Sequence, residues 1–192
     1  MFSSSCSLFV GVQLSLLAIV SANIFVCNQQ QTVDDYVDVS STFGPDLPPK
    51  GLRGVLVKAE PSNGCSAIAN PPSVGNYTGK WLALINRQNC SFEMKVRNAQ
   101  AAGYDCAVVH NVDSDELVAM SARNHTGILI PSVFVGSHTG LILEKEYLYT
   151  KGYQLKVDDL PKKDKAKVDL QAPLILTWPW YFNPYTRTNY CL

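Results

Sequence analysis

The chain has 192 residues, 46% of them hydrophobic, and its 16 lysines and arginines balance 16 aspartates and glutamates. That length fits one compact domain with terminal extensions. A formal net charge of zero excludes the global basic field that draws proteins to nucleic acid or anionic membranes, so charge nominates no partner class.

The first charged side chain is Asp34, and the apolar run from Leu8 to Val20 is shorter than a comfortable membrane span. With small residues at Ser21 and Ala22 it reads as a signal peptide over residues 1–22, cleaved after Ala22, although no basic residue precedes it. The uncharged stretch continuing through Cys27 leaves an uncleaved anchor as the alternative. Residues 23–50 read as an extended lead-in that ends in the turn-prone Leu47-Pro48-Pro49-Lys50-Gly51, with the body of the domain beginning at Gly51.

Gly54 to Lys58 is strand-like and stops at Pro61-Ser62-Asn63-Gly64, and a Pro/Gly/Asn-rich loop follows to Gly79. Trp81 to Ile85 and Ala107 to His110 are continuous apolar runs of strand length, as expected of strands buried on both faces. Between them, Phe92, Val96, Ala99 and Gly103 recur at helical spacing, while Glu93, Lys95, Arg97 and Gln100 are expected to reach solvent. Asn89 or Ser91 caps this helix and Gly103 ends it. Asp113-Ser114-Asp115-Glu116 is expected to lead a short helix toward Met120, because acidic residues stabilise helix N-termini. The same cluster lacks the ligand spacing and glycine of a calcium loop. Ile128 to Gly136 is a third apolar strand region with a bend at Pro131, Gly140 to Tyr149 a second helix, and Tyr153 to Val157 an alternating strand. Beyond Leu160, residues 161–192 read as a poorly ordered tail. Its apolar part, Ala172 to Phe182, is too short to cross a bilayer, and the tail has no zinc-binding Cys/His array.

Removal of the signal peptide takes Cys6 with it and leaves five cysteines. Cys65 and Cys90 follow a turn and precede a helix. A bridge between them is expected to contribute on the order of 3 kcal/mol by closing the intervening loop, the alternative being two reduced thiols. Cys106 is expected to be an inert core thiol, whereas Cys27 and Cys191 pair with each other or with another chain. Three sequons fit a secretory route: Asn76, Asn124 and Asn89. The cysteine inside the Asn89 sequon counts against that one.

The sequence carries no nucleophile elbow, His-Glu-x-x-His or phosphate-binding loop, so no catalytic residue, cofactor site or metal site is assigned. His110, beside Asn111 and near Asp113, is the best isolated acid-base candidate, but a histidine closing a buried strand is more often structural. His125 and His138 have no partners at ligand spacing.

The segments Gly51-Leu52-Arg53-Gly54-Val55-Leu56-Val57, Asn63-Gly64-Cys65-Ser66-Ala67-Ile68 and Asn89 to Tyr104 resemble the protease-associated domain. The continuation Ala107 to Leu117, with its His-Asn-Val-Asp, and Ile130-Pro131-Ser132-Val133-Phe134 look closest to the lumenal half of the Goliath-type transmembrane RING ubiquitin ligases. The resemblance runs from about Val33 to Asp158. It implies a compact α+β domain over residues 51–160 that recruits protein substrates or cargo in endosomes, lysosomes or outside the cell. In that family ubiquitin transfer belongs to a cytosolic RING beyond a membrane helix. The chain is therefore expected to be a non-catalytic protein-binding domain. The alternatives are the N-terminal part or truncated isoform of such a ligase, or the accessory lid of a peptidase. Membrane attachment is expected only through a signal anchor or a C-terminal segment not in this sequence. The loops Pro71 to Gly79 and Asp113 to Gly127 are the expected binding face.

Overall fold

The structure, a computed structural model, describes residues 21–159 and 189–191. Residues 1–20 of the expected signal peptide and most of the tail fall outside these residues, while Ser21 and Ala22 begin the first strand. Among the described residues seven strands form: β1 (Ser21–Asn28), β2 (Gln31–Ser40), β3 (Leu52–Lys58), β4 (Lys80–Asn86), β5 (Cys106–His110), β6 (Ser132–Val135) and β7 (Gln154–Asp158). Two helices of ten residues each, α1 (Phe92–Ala101) and α2 (Ser137–Glu146), accompany them.

The strands close into a barrel in the order β1-β2-β6-β5-β4-β3-β7. This overturns the α+β expectation: the domain is a mostly β barrel to which two short helices are added. Residues 23–50, read as an extended lead-in, supply β1 and β2. Polar Gln, Asp and Ser residues hide β2 from a hydrophobicity reading, and the apolar Ile24-Phe25-Val26-Cys27 of β1 reads as a continuation of the uncharged leader. They form because β1 pairs antiparallel with β2 on one side and with β7 on the other, and β2 reaches β6 through Val39 and Ser40. Closure satisfies edge hydrogen bonds that an open sheet leaves unpaired.

Strands β3, β4, β5 and β6 run parallel to one another. Side chains on β4 to β6 alternate between two apolar layers. Leu82, Leu84, Cys106, Val108, Val133 and Val135 share one cluster with Ile24, Val26, Leu155 and Val157, which fills the barrel. Ala83, Ile85, Ala107, Val109 and Phe134 pack in a second cluster with Val96 and Ala99 of α1. Burial on both faces is why these strands read as unbroken apolar runs.

Helix α1 has Ser91 as its N-cap, with Oγ accepting from the Met94 amide, and Gly103 follows its end at φ 92°. Lys95, expected at the surface, is instead fully buried. The helix expected after Asp113 does not form. Residues 111–120 are irregular, and the acidic cluster caps a different helix, α2. Asp115 Oδ1 accepts from the His138 amide at 2.7 Å, and the Ser137 amide donates to the Ser114 carbonyl at 3.0 Å. The α2 N-cap is Gly136, which has no side chain to do this. The acidic side chain thus meets a helix N-terminus, as electrostatics favours, but the amide it accepts from lies 23 residues further along the chain. Among the described residues the cysteines pair as Cys65–Cys90 and Cys27–Cys191, and Cys106 is a buried free thiol.

Candidate functional site

The carboxyl ends of parallel strands and the loops that leave them are the usual place for ligand recognition on such sheets. Here that rim is built from the loop after β3, the β4–α1 connection, the β5–β6 loop and the start of α2. Helix α2 lies across it, with Leu143 in the barrel core and Lys58 of β3 paired to Glu144 at 2.6 Å.

His110 ends β5 and is 3% exposed. Its Nδ1 lies 2.7 Å from the Asn111 carbonyl and its Nε2 2.8 Å from Asn86 Oδ1. Burial pushes its pKa below the ordinary value, partly opposed by the Asn111 carbonyl and by Glu144. The ring packs directly on Gly140, where a Cβ would stand 2.3 Å from His110 Cγ. With both nitrogens engaged and a helix laid over one face, His110 braces β4, β5 and α2. Of its neighbours, Asn111 Nδ2 donates to the Glu116 carbonyl at 3.2 Å, and Arg87 Nη1 lies 3.4 Å from Asn111 Oδ1. The Arg87 guanidinium sits 5.8 Å from the ring centroids of both Phe92 and Phe134.

Lys95 lies beneath the same rim. Its ammonium donates to the Asn63 and Gln88 carbonyls, each at 2.6 Å, and stands 3.5 Å from Cys65 Sγ. Burial brings its pKa down to about 8. A lysine one position before the apolar stripe residue Val96 carries no signal of this in the sequence.

The expected binding loops are not neighbours. Asp113 to Glu116 belongs to the carboxyl rim, whereas Tyr77 bonds the Lys80 carbonyl and packs on Trp81 at the opposite, amino end of β4. From Arg123 to Gly127 the chain runs alongside α1, held by Glu93, Arg97 and Gln100. Asn76 and Asn124 are exposed, and Asn124 Oδ1 accepts from the Thr126 amide at 3.1 Å. Asn89 is also exposed but adopts φ 67°, between a bridged cysteine and the loop that holds Lys95. At the amino end, Arg53 donates to Gln154, the Cys191 carbonyl and the Gln29 carbonyl. Tyr190 stacks on Phe25 with ring centroids 4.2 Å apart, so residues 189–191 cover the outside of β1.

The sequence gives no sign of one further buried group. Asp38 of β2 is fully buried and neither carboxylate oxygen has a hydrogen-bond partner among the described residues. Burial, reinforced by Asp159, pushes its pKa well above the ordinary carboxyl range. Its charge contributes in turn to the upward shift of the Cys106 thiol, which burial dominates. Among the described residues no cluster of three or more His, Cys, Asp or Glu side chains is placed to hold a metal ion. Nor is any helix there long and apolar enough to cross a membrane.

Residues 52–143 match the PA domain family. They form a PA domain. The PA match starts at β3 and stops within α2, so β1, β2 and β7, which close the barrel, lie outside it. Over 140 residues the chain is 41% identical to human E3 ubiquitin-protein ligase RNF13, covering 71% of this chain and 36% of that protein. Over 185 residues it is 37% identical to the E3 ubiquitin-protein ligase Godzilla of Drosophila melanogaster, covering 92% of this chain and 34% of that protein. The chain thus spans roughly a third of the length of these curated relatives. Among solved structures, a zinc aminopeptidase from Bacillus subtilis aligns with a TM-score of 0.48 at 21% identity, over 73% of this chain and 31% of that one.

Proposed function

We propose that this PA domain is a non-catalytic protein-capturing module on the lumenal or extracellular side of a membrane, the substrate-recruiting part of an E3 ubiquitin-protein ligase system. The observation that carries the reading is its 41% identity over 140 residues to a protein named as such a ligase, together with the PA match. Geometry supports the assignment of a binding role. The best acid-base candidate, His110, is enclosed with both ring nitrogens engaged, so its chemistry is used for bracing. Two disulfides and exposed sequons at Asn76 and Asn124 suit an oxidising, glycosylating compartment. The capturing surface is assigned to the carboxyl rim around Gln88, Asp113 and Glu116, which lie on loops held by a packed scaffold.

The test uses the chain produced with native disulfides, immobilised and cross-linked to lumenal extract from cells that express it, with partners quantified by mass spectrometry. Asp113→Arg combined with Glu116→Arg is expected to remove the specific partners while leaving thermal unfolding unchanged. Equal capture by the folded variant would refute the rim assignment. Failure of any captured partner to change in abundance or ubiquitin modification when the gene is deleted would refute the recruiting role.

A further inference from the structure

Lys95 is the only lysine among the described residues that is fully buried, and none of the ion pairs among those residues includes it. Its ammonium is held by two backbone carbonyls, Asn63 and Gln88, and its third neighbour is Cys65 Sγ at 3.5 Å. The two loops that supply those carbonyls are the loops joined by the Cys65–Cys90 bond. A positive charge, without a carboxylate to balance it, therefore sits against one sulfur of a disulfide.

The two disulfides differ in exposure. Cys27 and Cys191 are 0% and 1% exposed, whereas Cys65 and Cys90 are both part-exposed on the carboxyl rim. An external thiolate can reach the second pair directly, whereas the first is closed to it while residues 189–191 stay packed on β1. Exchange rate also depends on how well the departing sulfur carries negative charge, and a neighbouring lysine lowers a thiol's pKa. Cys90 has a weaker claim to that stabilisation. It lies just before α1, where the helix dipole favours an anion, but the Met94 amide is already bonded to Ser91 Oγ. The nearest full charge is on the Cys65 side.

We propose that the Cys65–Cys90 disulfide is a thiol-exchange site at which a low-molecular-weight thiol of the glutathione class is loaded onto Cys90. The attacking thiol gives its proton to solvent, and its thiolate forms a new S–S bond to Cys90 Sγ. The Cys65–Cys90 bond breaks, and its electron pair leaves on Cys65 Sγ as a thiolate paired with the Lys95 ammonium. One disulfide is exchanged for another, so no external oxidant or reductant is consumed. The product keeps Lys95 bound to both carbonyls but severs the covalent tie between the two loops, so the rim is altered without the barrel being unfolded. The site is independent of the ubiquitin-ligase reading.

The experiment exposes the intact disulfide-bonded chain to isotopically labelled glutathione near pH 7. The reaction is quenched with acid and free thiols are alkylated, after which modified peptides are mapped. The expected product carries glutathione on Cys90 and the alkyl group on Cys65, with Cys27–Cys191 unchanged. Lys95→Met is expected to slow formation several-fold, because the departing Cys65 sulfur then loses the ammonium that stabilises its negative charge. Glutathione on Cys65, an even division between the two sulfurs, or equally fast exchange at Cys27–Cys191 would overturn the proposal.

Because removing Lys95 also removes two loop contacts, a second measurement leaves it in place. In Cys90→Ser, the alkylation rate of Cys65 against pH is expected to show a midpoint at least about one unit below the ordinary thiol value of about 8.5. Cys65→Ser, which leaves Cys90, is expected to titrate closer to that value. A Cys65 midpoint at or above the ordinary value refutes the role of Lys95, and buried Cys106 does not interfere while the chain is folded.

Discussion

Replacing Asp38 with asparagine is expected to change how the stability of the barrel depends on pH. Both carboxylate oxygens of Asp38 are buried without partners among the described residues, and burial with Asp159 nearby raises its pKa well above the usual range. In the unfolded chain the same carboxyl ionises near the ordinary value of about 3.9. Between those two pKa values the folded chain binds one more proton than the unfolded chain, so stability falls as pH rises through the window and is fully present below it. One proton corresponds to about 1.4 kcal/mol per pH unit. Two units inside the window therefore remove about 2.7 kcal/mol, a large share of the roughly 5 to 15 kcal/mol typical of a domain. The asparagine side chain has no such ionisation. Urea unfolding of both proteins at pH 5, 6 and 7 isolates the effect, because His110 and Lys95 titrate in both and largely cancel in the difference. As pH rises above the ordinary carboxyl value, the wild type is expected to lose stability relative to Asp38→Asn until the folded-state pKa is passed. A difference that is flat with pH, or that grows in favour of the wild type, would show that Asp38 is hydrated or paired and refute the reasoning.

Other substitutions test the rim and the surface. Gly140→Ala places a Cβ 2.3 Å from His110 Cγ and is expected to destabilise the domain by about 1 to 3 kcal/mol in denaturant unfolding, as overpacking does. Asp115→Ala removes the acceptor that caps α2 and is expected to cost about 1 kcal/mol, with the loss visible as faster amide exchange at His138. Expressed through a eukaryotic secretory pathway, the chain is expected to carry glycans at Asn76 and Asn124. Asn76→Gln and Asn124→Gln each then remove one glycosidase-sensitive step in gel mobility, while Asn89→Gln leaves the mobility unchanged.

Elements defined by local pattern are legible in the residues alone. The Phe92, Val96 and Ala99 stripe with Ser91 before it and Gly103 after it specifies α1, since helix periodicity, capping and a left-handed terminal residue act within one segment. The apolar runs of β4 and β5 and the alternation of β7 are local in the same sense. The chemistry of Asp115 as a helix cap is also readable, but its target is not, because the amide it accepts from is brought to it by the β5–β6 connection.

By itself, then, the sequence determined the locally patterned segments, helix α1 and the apolar strands β4 and β5 among them, and the family they resemble. Tertiary structure alone decided that β1 and β2 complete a barrel, that the two candidate binding loops sit at opposite ends, and that Cys27 meets Cys191. It also decided that Lys95 and Asp38 are buried. The physical reason is that strand pairing, ring closure and burial are relations between segments distant in the chain. A charged residue in a polar strand or beside a helical stripe reads as exposed until the packing of all seven strands encloses it.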